Sequence, residues 1–493
     1  MPPARAFGLV VLAGAALRFA TLDVQSLWYD ETVTAHLLQM HLGDLLRAIP
    51  DSESTPPLYY VLAWLWAQLA GTGEVALRAL PALLGTATIP VVWALGRRAG
   101  GERAGLFAAA LVAVNPMLVW FSQEARAYSL LALLGACSAL LWLRALEAPR
   151  SGRLLAWGAV AALALATHYY AIFLVAPQAL WLVLRAPGWR ARVAALALPA
   201  ATAAALAPLA LAQRSNDSAA FIGESGLAHR LLQVPKQFLV GYDAPAEKLL
   251  AVASAVALLA GVAGLLALLA GRGRVPASAR ADAARLSAIA AAALAVPVLL
   301  ALAGEDHVVT RNLLAALPLL LALAGAGLAA AAASLRLPTV AAAGAACALG
   351  LVAVVGVAAD ARYQRDDWRG AARAIGNPGG DRVIVTAPGA LVPLRYYLPR
   401  LRTLHAPFSP TVEVDYIALA PRRGGGRAVP PRPAENPIPG LAFKVVGRVE
   451  AATYTVIRMR PPGPQLLLAG NLITGMDGEQ AQPLQQPFVR PST

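Results

Sequence analysis

The chain has 493 residues, 58% hydrophobic and only 14% charged, with a mean hydropathy of +0.59. A soluble protein of this length would carry roughly 25% charged residues, so a soluble enzyme is excluded. The net charge of +14 might suggest nucleic acid as a partner, but about half of the basic residues lie in short loops between apolar segments, where they act as topological determinants.

In chain order, Arg5 and the apolar stretch after it resemble a signal peptide. Many further spans follow, so a first helix that is retained is expected. Apolar runs of 16 to 23 residues recur from Phe7 to about Ala359, the pattern of a polytopic helical membrane protein. Their Ala and Leu content predicts helices packed closely through small faces. Cys137 and Cys347 lie inside such runs and match no metal or disulfide spacing, so they read as buried thiols.

Residues 23–74 form the first long loop. Within it, "ETVTAHLLQMHLGDLLRAI" has apolar residues at 33, 37, 38, 42, 45, 46 and 49, which is one helical face. "PPLYYVLAWLWAQLAG" is apolar and aromatic. Both read as helices along the outer membrane surface, with Trp and Tyr at the headgroup level. A transmembrane hairpin is the alternative for the second.

Beyond this loop, arginine clusters alternate with acid-bearing segments. The basic loops are Arg97-Arg98 to Arg103, Arg144 to Arg153, Arg185 to Arg192, Arg272 to Arg285, and Arg336. By the positive-inside rule these face the cytoplasm. Asp23 to Glu74, Glu124, Asp217 to Glu247 and Glu305-Asp306 then face outward. Counting crossings gives about eleven helices, with the N-terminus inside. Leu154 to Leu184 is flanked by Arg on both sides, so it must cross an even number of times and turn near Thr167-His168-Tyr169-Tyr170.

After about Asp360 the pattern changes. "DDWRGAARAIGNPGGDRVIVTAP" predicts helix, turn and a strand over Arg382 to Thr386, and "ALVPLRYYLP" a short helix. "VDYIALA" and "KVVGRVEAATYTVIRM" alternate as strands, and residues 421–440 read as a Gly- and Pro-rich loop. The expected organisation is a mainly α polytopic module over 1–359, a small extracytoplasmic α/β domain over 360–462 and a disordered tail over 463–493.

Several ionisable residues fall at the outer interface under this topology. Asp30 and Glu31 stand side by side next to Trp28 and Tyr29. Helix capping explains them in part, with Asp30 as N-cap and Glu31 as a first-turn charge, but paired acids there also suit a cationic or reacting visitor. Glu53 precedes two prolines that hold the backbone extended, so it is aimed rather than free. Arg126, in "SQEARAYSL" with Glu124, can hold a phosphate with two parallel hydrogen bonds or pair with Glu124. Arg311 is a second candidate phosphate ligand and Arg18 a weaker third. His168, with Tyr169 and Tyr170, lies at the inferred turn. The conjunction suits a substrate with a lipid-linked phosphate and a sugar. "GAGLAA" at 325 resembles a dinucleotide fingerprint but has no preceding strand, so it reads as a close-packing face.

The order of motifs resembles the GT-C superfamily of membrane glycosyltransferases, above all glycosyltransferase family 39, the protein O-mannosyltransferases and the lipid A aminoarabinose transferases. The similar stretches are "LRFATLDVQSLWYDE", "ESTPPLYYVLAWLWAQLAG", "SQEARAYSLL", "THYYAIFLV" and "TRNLLAALPLLLAL". The resemblance implies sugar transfer from a polyprenyl phosphate to a lipid, glycan or protein acceptor outside the cytoplasm, by an enzyme of the plasma (inner) membrane. It makes Asp30, with Glu31 beside it, the catalytic base. Arg126 and Arg311 would bind the donor phosphate, and Glu53, Tyr59, Tyr60, Glu124, His168 and Tyr169 the substrates. Inversion at the anomeric carbon of a hexose or pentose would follow from a single displacement. No metal-ligand pattern occurs, although the acids could hold a divalent cation. Relatives often have His where Thr55 stands and Tyr where Asn312 stands. A flippase for lipid-linked sugars and a non-catalytic membrane scaffold are the competing readings.

Overall fold

The computed structural model describes residues 2–185, 188–214, 222, 225–272, 275–377, 381–404, 408–420, 422–423, 426–427, 443–463, 465–468 and 482–486. The chain divides into two units, one of Met1–Leu22 with Leu37–Val355, the other of Asp23–His36 with Gly356–Thr493.

The apolar runs form helices. In order these are α1 (Pro3–Phe19), α2 (Tyr29–Leu38), α3 (Leu42–Ser52), α4 (Leu58–Ala70), α5 (Glu74–Gly100), α6 (Glu102–Val114) and α7 (Pro116–Ser122). There follow α8 (Tyr128–Glu147), α9 (Ser151–Thr167), α10 (Ile172–Arg185), α11 (Trp189–Arg214) and α12 (Leu227–Val240). The series ends with α13 (Glu247–Leu269), α14 (Ala277–Leu302), α15 (Leu317–Ala332) and α16 (Arg336–Ala359). Among the described residues seven helices are long and apolar enough to cross a membrane, counting α15 together with the 3-10 turn before it, and the bent pair α6–α7 makes an eighth. α4, α9 and α10 are apolar but shorter. The amphipathic stretch expected as one face is broken between α2 and α3. The turn expected near His168 falls there, between α9 and a 3-10 turn over Tyr169–Ala171.

Small residues set the closeness of the helices. A Cβ on Gly264 of α13 would collide with the Gly327 carbonyl of α15, and one on Gly327 with the Gly261 carbonyl. A Cβ on Gly325 would lie 2.7 Å from the Ala108 amide nitrogen of α6. The "GAGLAA" stretch is therefore a packing face on two sides, where backbones touch.

At one end of this unit Arg98 closes α5. Its Nη2 donates to Asp282 of α14 (2.7 Å) and to Glu147 at the end of α8 (2.5 Å), while Arg285 donates to the other Asp282 oxygen (2.9 Å). Three of the elements bordering the basic loops thus meet through one guanidinium.

The second unit contains α17 (Trp368–Ile375), β1 (Arg382–Thr386), α18 (Leu391–Tyr397), β2 (Arg402–Thr403), β3 (Phe408–Thr411) and β4 (Glu413–Leu419). Then come β5 (Arg422–Arg423), β6 (Gly426–Arg427), β7 (Lys444–Glu450), β8 (Tyr454–Arg460), β9 (Gln465–Leu468) and β10 (Gln482–Gln486). Six strands form one sheet in the order β2-β10-β1-β4-β8-β7, in which β1 and β4 run parallel. One face buries Val383, Val385, Val414, Tyr416, Ile457 and Met459. The other packs Ile384, Ile417, Val456 and Leu484 under Trp368, Ala371, Ile375 and Leu394 of the two helices.

β10 comes from the segment expected to be a disordered tail. Leu484 supplies its buried apolar side chain, and both of its ladders are antiparallel, to β1 and β2. One leucine among glutamines is too weak a pattern to signal a strand, and the pairing partners supply the rest. β9 also lies in that segment and pairs antiparallel with β3; most of the rest of the segment, and most of the loop expected over 421–440, lie outside the described residues, as does Asp217.

Arg18 corrects an expectation. It is fully buried and is no phosphate ligand. Pro116 has no N–H and α6 ends at Val114, so the Val112 and Ala113 carbonyls lack helical partners. Arg18 donates to both (3.0 and 2.9 Å), to the Gly14 carbonyl (2.9 Å) and to Ser122 Oγ (3.1 Å). It therefore caps the 57° bend between α6 and α7. Arg18→Met should leave both carbonyls unsatisfied, a loss of roughly 2–6 kcal/mol, read as a lower thermal midpoint of the protein in detergent.

Candidate active site

In the second unit the expected acidic pair occupies the first turn of α2. The Trp28 carbonyl accepts the first helical bond, from the Thr32 amide (3.0 Å), so Trp28 is the N-cap and Asp30 is not. Glu31 reaches back to accept the Trp28 N–H (3.3 Å), the second half of a capping box. Glu31 is completely buried and Asp30 is half-buried. The two neighbours therefore differ: Glu31 closes the helix, and Asp30 retains exposed surface.

In the first unit, Glu53 caps the C-terminus of α3 in extended conformation, its N–H donating to the Ile49 carbonyl (3.1 Å). Two prolines follow and start α4. Arg126 lies in the short link between α7 and α8, where its N–H donates to the Glu124 carbonyl (2.7 Å). The guanidinium and the Glu53 carboxylate meet as a fork, Nη1 to Oε1 and Nη2 to Oε2, both at 2.8 Å and both nearly inaccessible. Arg126 is thus paired with Glu53, 73 residues away in the chain.

Aromatic and amide groups enclose this pair. The Tyr60 ring lies 5.8 Å from the Arg126 guanidinium, and its hydroxyl lies 3.1 Å from Thr55 Oγ1. Tyr59 packs edge-on against Tyr60, and both are buried, as is Glu124. Gln213, in the last turn of α11, donates to the Ile49 and Thr55 carbonyls (both 3.3 Å) and accepts from the Tyr169 hydroxyl (2.7 Å). Sequence reading passed over Gln213. Its only signal is a polar residue ending an apolar helix.

His168 caps the 3-10 turn, its Nδ1 accepting from the Tyr170 N–H (3.3 Å), and its ring packs against Tyr128 and Tyr170. Burial, and then the charges of Arg311 and Arg126, push its pKa down to about 3. The ring is therefore neutral at physiological pH and acts through hydrogen bonds rather than charge. Arg311, half-buried, opens the 3-10 turn Thr310–Ala316 that leads into α15. The loop before it is held by Arg230, which donates to Asp306 Oδ1 (2.8 Å) and the Val308 carbonyl (2.7 Å), and by Asn312, which donates to the His307 carbonyl (2.8 Å).

Glu53, Tyr59, Tyr60, Glu124, Arg126, His168, Tyr169 and Arg311 all belong to the first unit, and Asp30 and Glu31 to the second. Within the first unit, segments distant in sequence converge through the Glu53–Arg126 fork, the Gln213 bridges and the aromatic packing of His168. Among the described residues no group of three or more His, Cys, Asp or Glu is disposed to hold a metal ion.

Breaking the fork on one side should strand a buried charge. Glu53→Ala is expected to cost about 3–5 kcal/mol. Glu53→Ala with Arg126→Met should cost less than the sum of the single changes, as measured by a thermal-denaturation double-mutant cycle.

Comparison with known proteins places this geometry. Residues 54–212 match the family model described as dolichyl-phosphate-mannose-protein mannosyltransferase. No curated protein matches the sequence. The structure is similar to that of ArnT from Cupriavidus metallidurans in the apo state, with a TM-score of 0.55 at 16% identity, covering 91% of this chain and 97% of that one. It is similar also to the same protein bound to undecaprenyl phosphate, with a TM-score of 0.53, 16% identity and the same shares covered. The chain thus shares the fold of ArnT over nearly its whole length, with helices long and apolar enough to cross a membrane several times.

Proposed function

We propose that the protein transfers a sugar from a polyprenyl phosphate to an acceptor hydroxyl on the outer side of the plasma (inner) membrane. The observation that carries this reading is the distribution of charge along α8. At its N-terminal end stand the Glu53–Arg126 fork and His168, and at its C-terminal end the Arg98–Glu147–Asp282 cluster. The helix has 20 residues, so the two lie about 30 Å apart, close to the thickness of a bilayer core. The end bordered by basic loops faces the cytoplasm by the positive-inside rule. With that orientation the expectation of about eleven crossings and of an extracytoplasmic C-terminal domain is retained as part of the proposal.

In this reading the acceptor oxygen attacks the anomeric carbon as its proton passes to the Asp30 carboxylate. The bond from that carbon to the phosphate oxygen breaks, and its electron pair leaves on the lipid phosphate. One displacement inverts the configuration. Positive charge must meet the phosphate as it departs. Arg126, oriented by Glu53, and Arg311 would both supply that charge. The undecaprenyl phosphate bound in the ArnT structure and the mannosyl phosphate lipid in the matched family's description support a lipid-linked donor. His168, Tyr59, Tyr60, Glu124 and Tyr169 shape the pocket around it.

Three experiments test this. Gene deletion should lead to accumulation of a polyprenyl-phosphate sugar in extracted lipids, and a normal lipid pool would overturn the reading. Asp30→Asn should lower transfer by roughly 10²–10⁴-fold with donor binding retained. Arg311→Ala should lower turnover by about 10²-fold or more and weaken donor binding as well.

A further inference from the structure

The second unit joins two stretches more than 300 residues apart in the chain: Asp23–His36, which carries Asp30, and the C-terminal residues from Gly356. The contacts between them fall on the few residues just ahead of α2. Ser26 Oγ donates to the Asp366 carbonyl (2.7 Å) and accepts the Trp368 N–H (3.0 Å). That hydroxyl bridges the two peptide groups flanking Asp367, the N-cap of α17. Gln25 Oε1 accepts the Arg365 N–H (3.0 Å), and Arg369 Nη2 donates to the Asp23 and Val24 carbonyls (2.8 and 3.1 Å). The Leu27 N–H donates to the Tyr397 hydroxyl of α18 (2.8 Å), and the Leu27 side chain is wholly buried. Tyr29 lies against the turn at Gly389, whose φ of +84° suits glycine.

Residues 23–28 form no regular helix, so their backbone groups must find partners elsewhere. The C-terminal residues supply partners for the Asp23 and Val24 carbonyls and the Leu27 N–H, and hold the Gln25 and Ser26 side chains between them, and these five positions lead directly into the capping box of α2. Holding a five-residue segment in one conformation opposes an entropy of about 1–2 kcal/mol per residue. A catalytic carboxylate gains from such ordering, because its reach must be fixed within a fraction of an ångström.

We infer that the C-terminal residues act as a positioning device for Asp30: residues 23–27 are gripped by Arg365, Asp366, Trp368, Arg369 and Tyr397 so that the first turn of α2 presents its carboxylate in one place. This rests on the reading of Asp30 as the base. Ser26 and Tyr397 are positioning residues that act through α2.

The test uses the full chain in lipid nanodiscs and in cells lacking the native gene. In the doubly substituted Ser26→Ala/Tyr397→Phe protein, amides 27–32 should exchange hydrogen at least about tenfold faster while β1 and β4 stay protected. In cells, the accumulated polyprenyl-phosphate sugar should be cleared at least about tenfold more slowly than by wild type at equal protein level, a loss typical of small misplacements at a site. Ser26→Thr, which keeps the hydroxyl, should clear it as wild type does. Unchanged exchange at 27–32 overturns the inference, and so does faster exchange with wild-type clearance. If β1 and β4 lose protection in the double variant, Arg369→Ala, which removes one side chain from the grip, replaces it under the same two criteria. Asp30→Asn separates the two claims. Wild-type clearance by that variant overturns Asp30 as base, whereas its failure beside normal clearance by the positioning variants overturns only the positioning.

Discussion

A charge or a bare carbonyl among apolar helices stays in place only when the chain itself supplies its hydrogen bonds, because lipid cannot. Arg18 meets this constraint by ending on carbonyls that Pro116 and the break in α6 have left without partners. Arg98 meets it by sharing Asp282 with Arg285, and Arg126 by a two-point fork with Glu53. Each solution fixes two or three helix ends at once. The links between α3, α8, α9 and α11 are rigid for that reason, and the rigidity gives the site its shape.

The fork changes the meaning of Arg126. An arginine at the end of an apolar segment suggests a free cation awaiting phosphate, but here the charge is already balanced within the protein. Glu53 thereby holds the guanidinium in a set orientation and tempers its charge. A similar division of labour separates Asp30 from Glu31. Two adjacent carboxylates look equivalent in a string of letters, yet one closes the helix start and the other retains surface.

The second unit follows the same physical rule in another setting. Arg382, nearly inaccessible, pairs with Glu413 (3.1 Å) and Asp415 (3.0 Å) and donates to the Ile375 carbonyl (2.9 Å) at the end of α17. Arg458 reaches the same carbonyl. Burial pushes the Asp415 carboxyl up to about 6 in spite of Arg382 beside it. These charges lock the helix to the sheet that supports the segment ahead of α2.

The sequence by itself determined what depends on near neighbours. Apolar runs marked the helices, the Arg-flanked stretch over 154–184 demanded the turn at His168, and strand patterns were legible over 382–386, 414–420 and 444–459, where β1, β4, β7 and β8 fall. The acids and arginines were legible as a group because ionisable residues are rare in such a chain. Only the tertiary structure decided their partners. Arg126 paired with Glu53, Gln213 joined the group, β10 entered the sheet from a polar tail, and Ser26 met Asp366 some 340 residues on. Periodicity reports how one segment meets its surroundings, and it carries no information about which distant segment supplies a given hydrogen bond. That choice belongs to the packing, where close contact between small residues and the cost of unpaired polar groups select one arrangement.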